Sequence, residues 1–279
     1  MKRGLFIPPF DDLSDPRVMA DLAVRAEEVG WDGVFLWDHI QYPDPITAMA
    51  DPWVCLAAIA ARTERIKIGI LVTPLARRRP LVVARQAVSL DRLSEGRMVL
   101  GMSVGGDRNG EMEELGESGD MRERAAMLDE GLGLIDQAMH GDSIEHRGEH
   151  YSVSAKPFLP TPVQEPRIPI WLGGMWRSPF PEKTPRPFRR AAEWDGVFPD
   201  GIDPAGVTLL RERIAAIRPP ESGPFTFVAR TRAEDDPTRW ERAGLDWLLT
   251  DVGPRMPDGS IRPMEPMATI RATIEEVTR

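Results

Sequence analysis

Apolar and polar positions in this chain come in blocks rather than in strict alternation. Short apolar runs of about four to eight residues recur, each followed by a polar turn and then by a stretch with apolar positions at helical spacing. The runs are Arg3–Pro8, Gly33–Asp38, Lys67–Pro74, Arg97–Gly105, Ile168–Gly174, Gly196–Gly201, Phe225–Arg230 and Asp246–Gly253. Their lack of alternation suits strands buried on both faces of a parallel sheet. Helical patterns fill Pro16–Gly30, Pro52–Thr63, Pro80–Ser94, Ala125–Met139, Arg186–Trp194, Pro204–Arg218, Pro237–Gly244 and Pro266–Val277. Asp51-Pro52, Asp203-Pro204 and Asp236-Pro237 each place a capping carboxylate ahead of proline at the first helical position. Gly30 and Gly244 stand where a left-handed C-cap is needed. Val82, Val83, Ala87, Leu90 and Leu93 form the stripe expected to face the sheet. Eight strand–helix pairs in 279 residues predict an α/β fold, a single-domain (β/α)8 barrel spanning 1–279. Roughly 250 residues is the usual length of that fold, and its active site lies at the C-terminal ends of the strands.

Two segments interrupt the rhythm. His140–Arg167 joins a helix to a strand, with Glu149–Val153 reading as part of a short hairpin and Pro157–Pro169 as an extended return. Met175–Pro187 follows a strand, is rich in proline and basic residues, and carries Trp176 and Phe180, as expected of an active-site lid.

Composition narrows the function classes. The net charge of −9 argues against a nucleic-acid or anionic-membrane surface. No window approaches the roughly 18 apolar residues of a membrane span, and the start of the chain has no signal-like apolar region. The one cysteine, Cys55, lies in a helical pattern and reads as a small core residue more readily than as a reactive thiol. A soluble cytoplasmic protein is expected.

At the strand ends, His39 is the one histidine on the catalytic side, behind Trp37 and Asp38; His140, His146 and His150 belong to the opposite rim. A lone histidine is often structural, but here an imidazole could orient a ring or move a proton near neutral pH. Thr73 brings a hydroxyl to the third strand end. The fourth ends in Ser103-Val104-Gly105-Gly106-Asp107, with Glu111 four residues further on, and the fifth in Gly173-Gly174-Met175-Trp176. Glycines after a strand let backbone amides approach a phosphate or a ring, though a tight turn explains each alone. Asp200, Arg230, Arg232 and Asp251 could bind substrate or pair with one another. No His-x-His follows the first strand, nothing marks two acids as a glycosidase pair, and no strand ends in lysine. By elimination the chemistry belongs to an organic cofactor.

These residues resemble the bacterial luciferase-like oxidoreductases, which use a flavin or the deazaflavin coenzyme F420. The resemblance covers almost the whole chain. It rests on Ala26–Gly33 leading to Trp37-Asp38-His39, on Asp51-Pro52-Trp53, on Ala60–Gly69 and on Leu90–Arg97. It continues through Pro160–Gln164, Ile170–Gly174 and Ala191–Gly196. It implies that His39 is the active-site histidine beside the reactive ring and Asp38 its neighbour. It further implies that Ile70, Leu71 and Thr73 belong to a third-strand bulge, often with a non-prolyl cis peptide, that supports the ring. Ser103, Gly105, Gly106 and Asp107, with Gly173, Gly174, Met175 and Trp176, match the loops that take the ribityl and phosphate groups. Gly105-Gly106-Asp107 resembles the flavin-using alkanesulfonate monooxygenases. Asp38-His39 and the short barrel resemble deazaflavin-dependent reductases and dehydrogenases. The resemblance thus implies F420, slightly ahead of FMN, and hydride transfer or oxygen activation on a small-molecule substrate. A homodimer and a separate flavin or F420 reductase are its implied partners, and a non-catalytic flavin-binding barrel is the alternative. Phe6, Trp37, Met102, Trp171 and Trp176 would form an apolar wall for the ring, unless some are barrel core.

Overall fold

A computed structural model describes residues 1–232, 235–256 and 259–276. Ten strands are present among them: β1 Lys2–Ile7, β2 Gly33–Leu36, β3 Lys67–Pro74, β4 Met98–Ser103, β5 Ile144–Arg147, β6 Ser152–Ala155, β7 Ile170–Met175, β8 Gly196–Asp200, β9 Thr226–Thr231 and β10 Trp247–Asp251. Eight close into a parallel barrel in the order β1-β10-β9-β8-β7-β4-β3-β2, while β5 and β6 form a separate antiparallel hairpin. The helices are α1 Pro16–Val29, α2 Pro52–Ala60, α3 Pro80–Leu93, α4 Met121–His140, α5 Arg186–Ala191, α6 Pro204–Ala215, α7 Pro237–Arg242 and α8 Met267–Glu275. The predicted eight strand–helix pairs are all present.

Local chemistry sets the boundaries. Asp51, Asp203 and Asp236 accept backbone N–H bonds from Val54, Gly206 and Thr238, so each caps its helix as the Asp-Pro pairs predict. Gly30 closes α1 at φ +101°, a left-handed geometry that costs a side chain energy. Several edges differ from the sequence reading. Helix α4 begins at Met121 rather than Ala125, because Asp120 caps a polar first turn that apolar periodicity does not reveal. The hairpin strands flank Gly148–Tyr151, which form its turn, with Gly148 N–H donating to the Tyr151 carbonyl at 2.9 Å. On α3, Val82 and Leu93 are exposed, and Ala84 and Val88 complete the buried face with Val83, Ala87 and Leu90. The end of the predicted helix at Val277 lies outside the described residues.

The core has two compartments. Leu5, Ile7, Val34, Leu36, Ile68, Ile70, Leu100 and Met102 belong to the layer packed with the helices. Phe6, Phe35, Trp37, Leu71, Val99, Trp171, Phe198, Val228, Trp247 and Leu249 form the other, the barrel interior. Room for this aromatic filling comes from glycines. A Cβ on Gly33 would come within 2.7 Å of both Phe35 and Trp247, and one on Gly101 within 2.1 Å of the Ile70 carbonyl. Phe35 meets Trp171 at 5.7 Å and Trp247 edge-on at 5.4 Å between ring centroids. Phe6, Trp37 and Trp171, expected as an apolar docking wall, are therefore interior core, and Met102 faces the helices. Cys55 is fully buried, and burial pushes its thiol up to about 12, in keeping with an inert core residue. Among the described residues, no helix is long and apolar enough to cross a membrane.

Candidate active site at the carboxyl rim

The strand ends gather most of the sequence-marked residues at one mouth. Between Ile70 and Thr73 the register of β3 against β4 shifts, and the Leu71–Val72 peptide is cis. The bulge lifts half-buried Val72 to the rim. A Cβ on Gly173 would lie 3.0 Å from a Val72 methyl and 3.4 Å from Ser103 Cβ, so β7 lies flush against the bulge. Gly105, at φ +78°, turns the chain out of β4, its N–H reaching Ser103 Oγ at 3.2 Å. Gly106 has open space where a side chain would stand. The result is a nearly side-chain-free shelf, suited to a flat ring and an anionic tail. Asp107 does not face this shelf. Its carboxylate accepts from the N–H groups of Met112 and Glu113 and folds the loop back. Met175 ends β7 beside Asp200, with its side chain exposed. Trp176 points away, stacked at 4.4 Å on Phe180 and seated against Gly206 of α6.

Folding back the β4 loop brings Glu111 to His39. Glu111 Oε2 lies 2.6 Å from His39 Nδ1, while Oε1 accepts from Ile40 N–H at 2.8 Å and from Arg77 Nη1 at 3.2 Å. Burial alone would push the Glu111 carboxyl up. The His39 hydrogen bond and charge, with Arg77 and the Ile40 amide, more than reverse this and hold it below its usual range. A carboxylate only accepts, so His39 Nδ1 must carry a hydrogen, and Nε2 is the nitrogen left to exchange a proton. The imidazole is about one quarter exposed (26%).

Asp38 lies below, with its side chain fully buried. Arg78 grips it through two hydrogen bonds, at 3.0 and 2.9 Å, and Thr73 Oγ1 donates at 2.8 Å. Arg77 donates to the Asp38 carbonyl at 2.7 Å, tying this group to Glu111. Asp38 and Thr73 thus come together as a buried mount behind His39. Sequence reading missed Arg77 and Arg78, which sit in a run of three arginines that looks like solvated surface. It also missed Tyr42, whose ring stands 5.0 Å from His39 and 4.9 Å from Phe10.

On the far side of the mouth, Arg230 donates to Asp200 at 2.7 Å and to Asp251, so these three pair with one another, while Arg232 donates to the Asp251 carbonyl at 3.0 Å. Burial alone would lower Arg230, but Asp251 and Asp200 outweigh it and hold the guanidinium above its ordinary value.

The model of the family described as "Luciferase-like monooxygenase" matches residues 1–233. The chain belongs to that family. Solved structures share the fold. A chain described as an F420-dependent secondary alcohol dehydrogenase in complex with an F420-acetone adduct superposes over 100% of this chain and 99% of its own, with a TM-score of 0.78 at 17% identity. The coenzyme F420-dependent tetrahydromethanopterin reductase of Methanopyrus kandleri follows over 100% and 97%, with a TM-score of 0.73, also at 17% identity. The oxygenating constituent of 3,6-diketocamphane monooxygenase from Pseudomonas putida, in complex with FMN, reaches 0.68 over 83% and 67% at 18% identity. Among curated family relatives, the F420-dependent glucose-6-phosphate dehydrogenase of Nakamurella multipartita is 35% identical over 162 residues, 57% of this chain and 46% of that protein. The matched segment spans about half the length of such relatives.

Proposed function

We propose that this chain is an F420-dependent oxidoreductase of the luciferase-like family, moving hydride between the deazaflavin and a small alcohol or carbonyl compound. The observation that carries this reading is the Glu111–His39 pair at the edge of the β3 bulge, a proton-handling group fixed beside a flat shelf. The F420-dependent names of the curated relatives favour F420 over FMN. The residues fit such a cofactor: Val72 and the Leu71–Val72 backbone would support the ring, and Ser103, Gly105, Gly106, Gly173 and Gly174 would leave room for the ribityl and phosphate groups. A bound deazaflavin supplies a two-electron hydride acceptor that does not use oxygen. His39 Nε2 takes the hydroxyl proton of an alcohol as hydride leaves its carbon, and returns it in the reverse direction. Glu111 holds the imidazole in the required tautomer and stabilises the cation it becomes. Asp38, Arg77 and Arg78 keep that assembly rigid. Met175–Pro187 would close over the mouth and exclude water.

The test is parallel fluorescence titration with F420 and FMN, each oxidised and reduced. Selective F420 binding is expected. Selective binding of reduced FMN would replace this reading with a two-component monooxygenase served by a separate reductase. Binding without turnover on any alcohol or ketone would favour a flavin carrier.

A further inference from the structure

Among the described residues, Arg124 is the largest side chain that the fold buries completely, at 1% exposure. It lies in the first turn of α4 and turns its guanidinium to two backbone carbonyls. Nη1 donates to Ser118 O at 2.7 Å, and Nη2 makes a longer contact of 3.4 Å with Gly105 O. Other buried arginines have a plain structural duty. Arg97 donates to Ala60 O and Thr63 O at the carboxyl end of α2, where the backbone dipoles present negative charge, and Arg190 joins α5 to Asp129 of α4. Neither carbonyl held by Arg124 closes a helix. They are the two ends of one loop, 105–118, and that loop carries Glu111 to His39. The loop's own contacts set its internal shape. Asp107 accepts from the Met112 and Glu113 N–H groups, and Glu117 N–H donates to the Met112 carbonyl at 2.9 Å. Met112 is fully buried against Gly105, where a Cβ would come within 2.3 Å of its methyl. Arg124 ties this shape to the barrel by gripping both ends from α4. At the far end Ser118 Oγ adds a bond to Glu123 of the same turn, at 2.5 Å. Compact loops with close ends, packed by their own side chains, often serve function.

The hydrogen bond that this loop delivers tolerates little displacement. Glu111 Oε2 lies 2.6 Å from His39 Nδ1, and a shift of about 1 Å would take it out of hydrogen-bonding range. We infer that Arg124 is a positioning residue for the proton-exchanging histidine. By clamping both ends of the loop it sets Glu111 against Nδ1 and so leaves Nε2 as the nitrogen that exchanges. It acts through the backbone between Gly105 and Ser118, not on the reacting atoms. A planar fork of donors suits this duty because one group reaches two carbonyls at once, which the point charge of a lysine does not reproduce. This deepens the proposed function and rests on it for the role of His39.

The test reads the imidazole directly, by nitrogen NMR of histidine-labelled protein without cofactor, at a pH where the rings are neutral. His39 is assigned through His39→Gln. His146 is the internal control, since its Nε2 lies 2.8 Å from Glu130 Oε1 and so must carry the hydrogen there. In wild type, His39 is expected in the form protonated at Nδ1. In Arg124→Met, which keeps an apolar stem, the Nδ1-H to Nε2-H ratio of His39 should fall about tenfold or more, since a hydrogen bond to a charged group is worth that much. His146 should not change. Glu111→Gln should move His39 in the same direction, and the double variant no further than Glu111→Gln alone, because both act through one bond. Arg124→Lys should fall between wild type and Arg124→Met. An unchanged His39 ratio in Arg124→Met, an equal shift at His146, or additive effects in the double variant would each overturn the inference. If Arg124→Met does not fold, Arg124→Lys decides, and a wild-type ratio there would show that no two-ended clamp is needed. Failure of F420 to bind would remove the proposed function but leave this reading intact, since the measurement needs no cofactor.

Discussion

The two arcs of the mouth use the same residue types to opposite ends. On the β2–β4 arc, Arg77 and Arg78 are matched to Asp38 and Glu111, with the Asp38, Glu111 and Arg77 side chains at most 5% exposed, and every charge has a counter-charge. On the β8–β10 arc Arg230 takes Asp200 and Asp251, while among the described residues Arg232 and Arg255 rest on neutral oxygens. A closed network is a rigid mount, since removing any member strands a buried charge. The second arc is linked instead through backbone carbonyls and the hydroxyl of Tyr42.

The sharpest way to break this division is His39→Ala. Turnover should fall by about 10²–10⁴-fold, the range for losing a general acid–base, while F420 affinity and the thermal midpoint hardly move. Unchanged turnover would take the chemistry away from the first arc. Next in size is the mount itself. Asp38→Asn should cost about 3–5 kcal/mol in urea unfolding, because Arg78 and Arg77 lose a buried partner. Arg230→Gln on the second arc should cost less, about 1–3 kcal/mol, since Asp200 can turn to water and buried Asp251 keeps the Gly253 N–H and can accept from the glutamine amide. Equal losses would erase the contrast. Glu111→Gln should then lower turnover about 10–100-fold, the usual effect of removing the group that orients a working histidine. A turnover equal to wild type would show that the Glu111 carboxylate does not orient the His39 ring.

The smallest effect is in pH dependence. Glu111 has a folded-state value below the ordinary glutamate value of about 4.3. Its contribution to stability is therefore complete above that ordinary value and fades as pH falls through the lower, folded-state one. Urea midpoints measured downward from about pH 5 should decline more steeply for wild type than for Glu111→Gln. Parallel declines would mean that other carboxylates govern acid sensitivity.

Much of this was legible in the sequence, for identifiable reasons. The barrel was readable because each strand is buried on both faces and each helix carries its own punctuation, down to the Asp-Pro caps. His39 stood out by scarcity and position. The Glu111–His39 hydrogen bond did not, because Glu111 lies well beyond β4 and reaches His39 only after Asp107 folds the loop back. Arg77 and Arg78 were hidden by their neighbour Arg79, which is exposed, so that three consecutive arginines read as one solvated run. Helical spacing extends the stripe on α3 too far at both ends because it does not say how wide the covering surface is. The position of its loop suggests Trp176 beside the ring, whereas Trp176 packs on Phe180 and Phe188.

The aromatic filling of the barrel also governs traffic. With Phe35, Trp171 and Trp247 packed into the space that Gly33, Gly69 and Gly196 leave open, the barrel is a plinth and not a funnel. Nothing drains through its floor. Water displaced when a ligand arrives must leave through the mouth or between its loops. Residues of the plinth should therefore register in how hot the protein can run, and those of the loops in how fast it can be emptied.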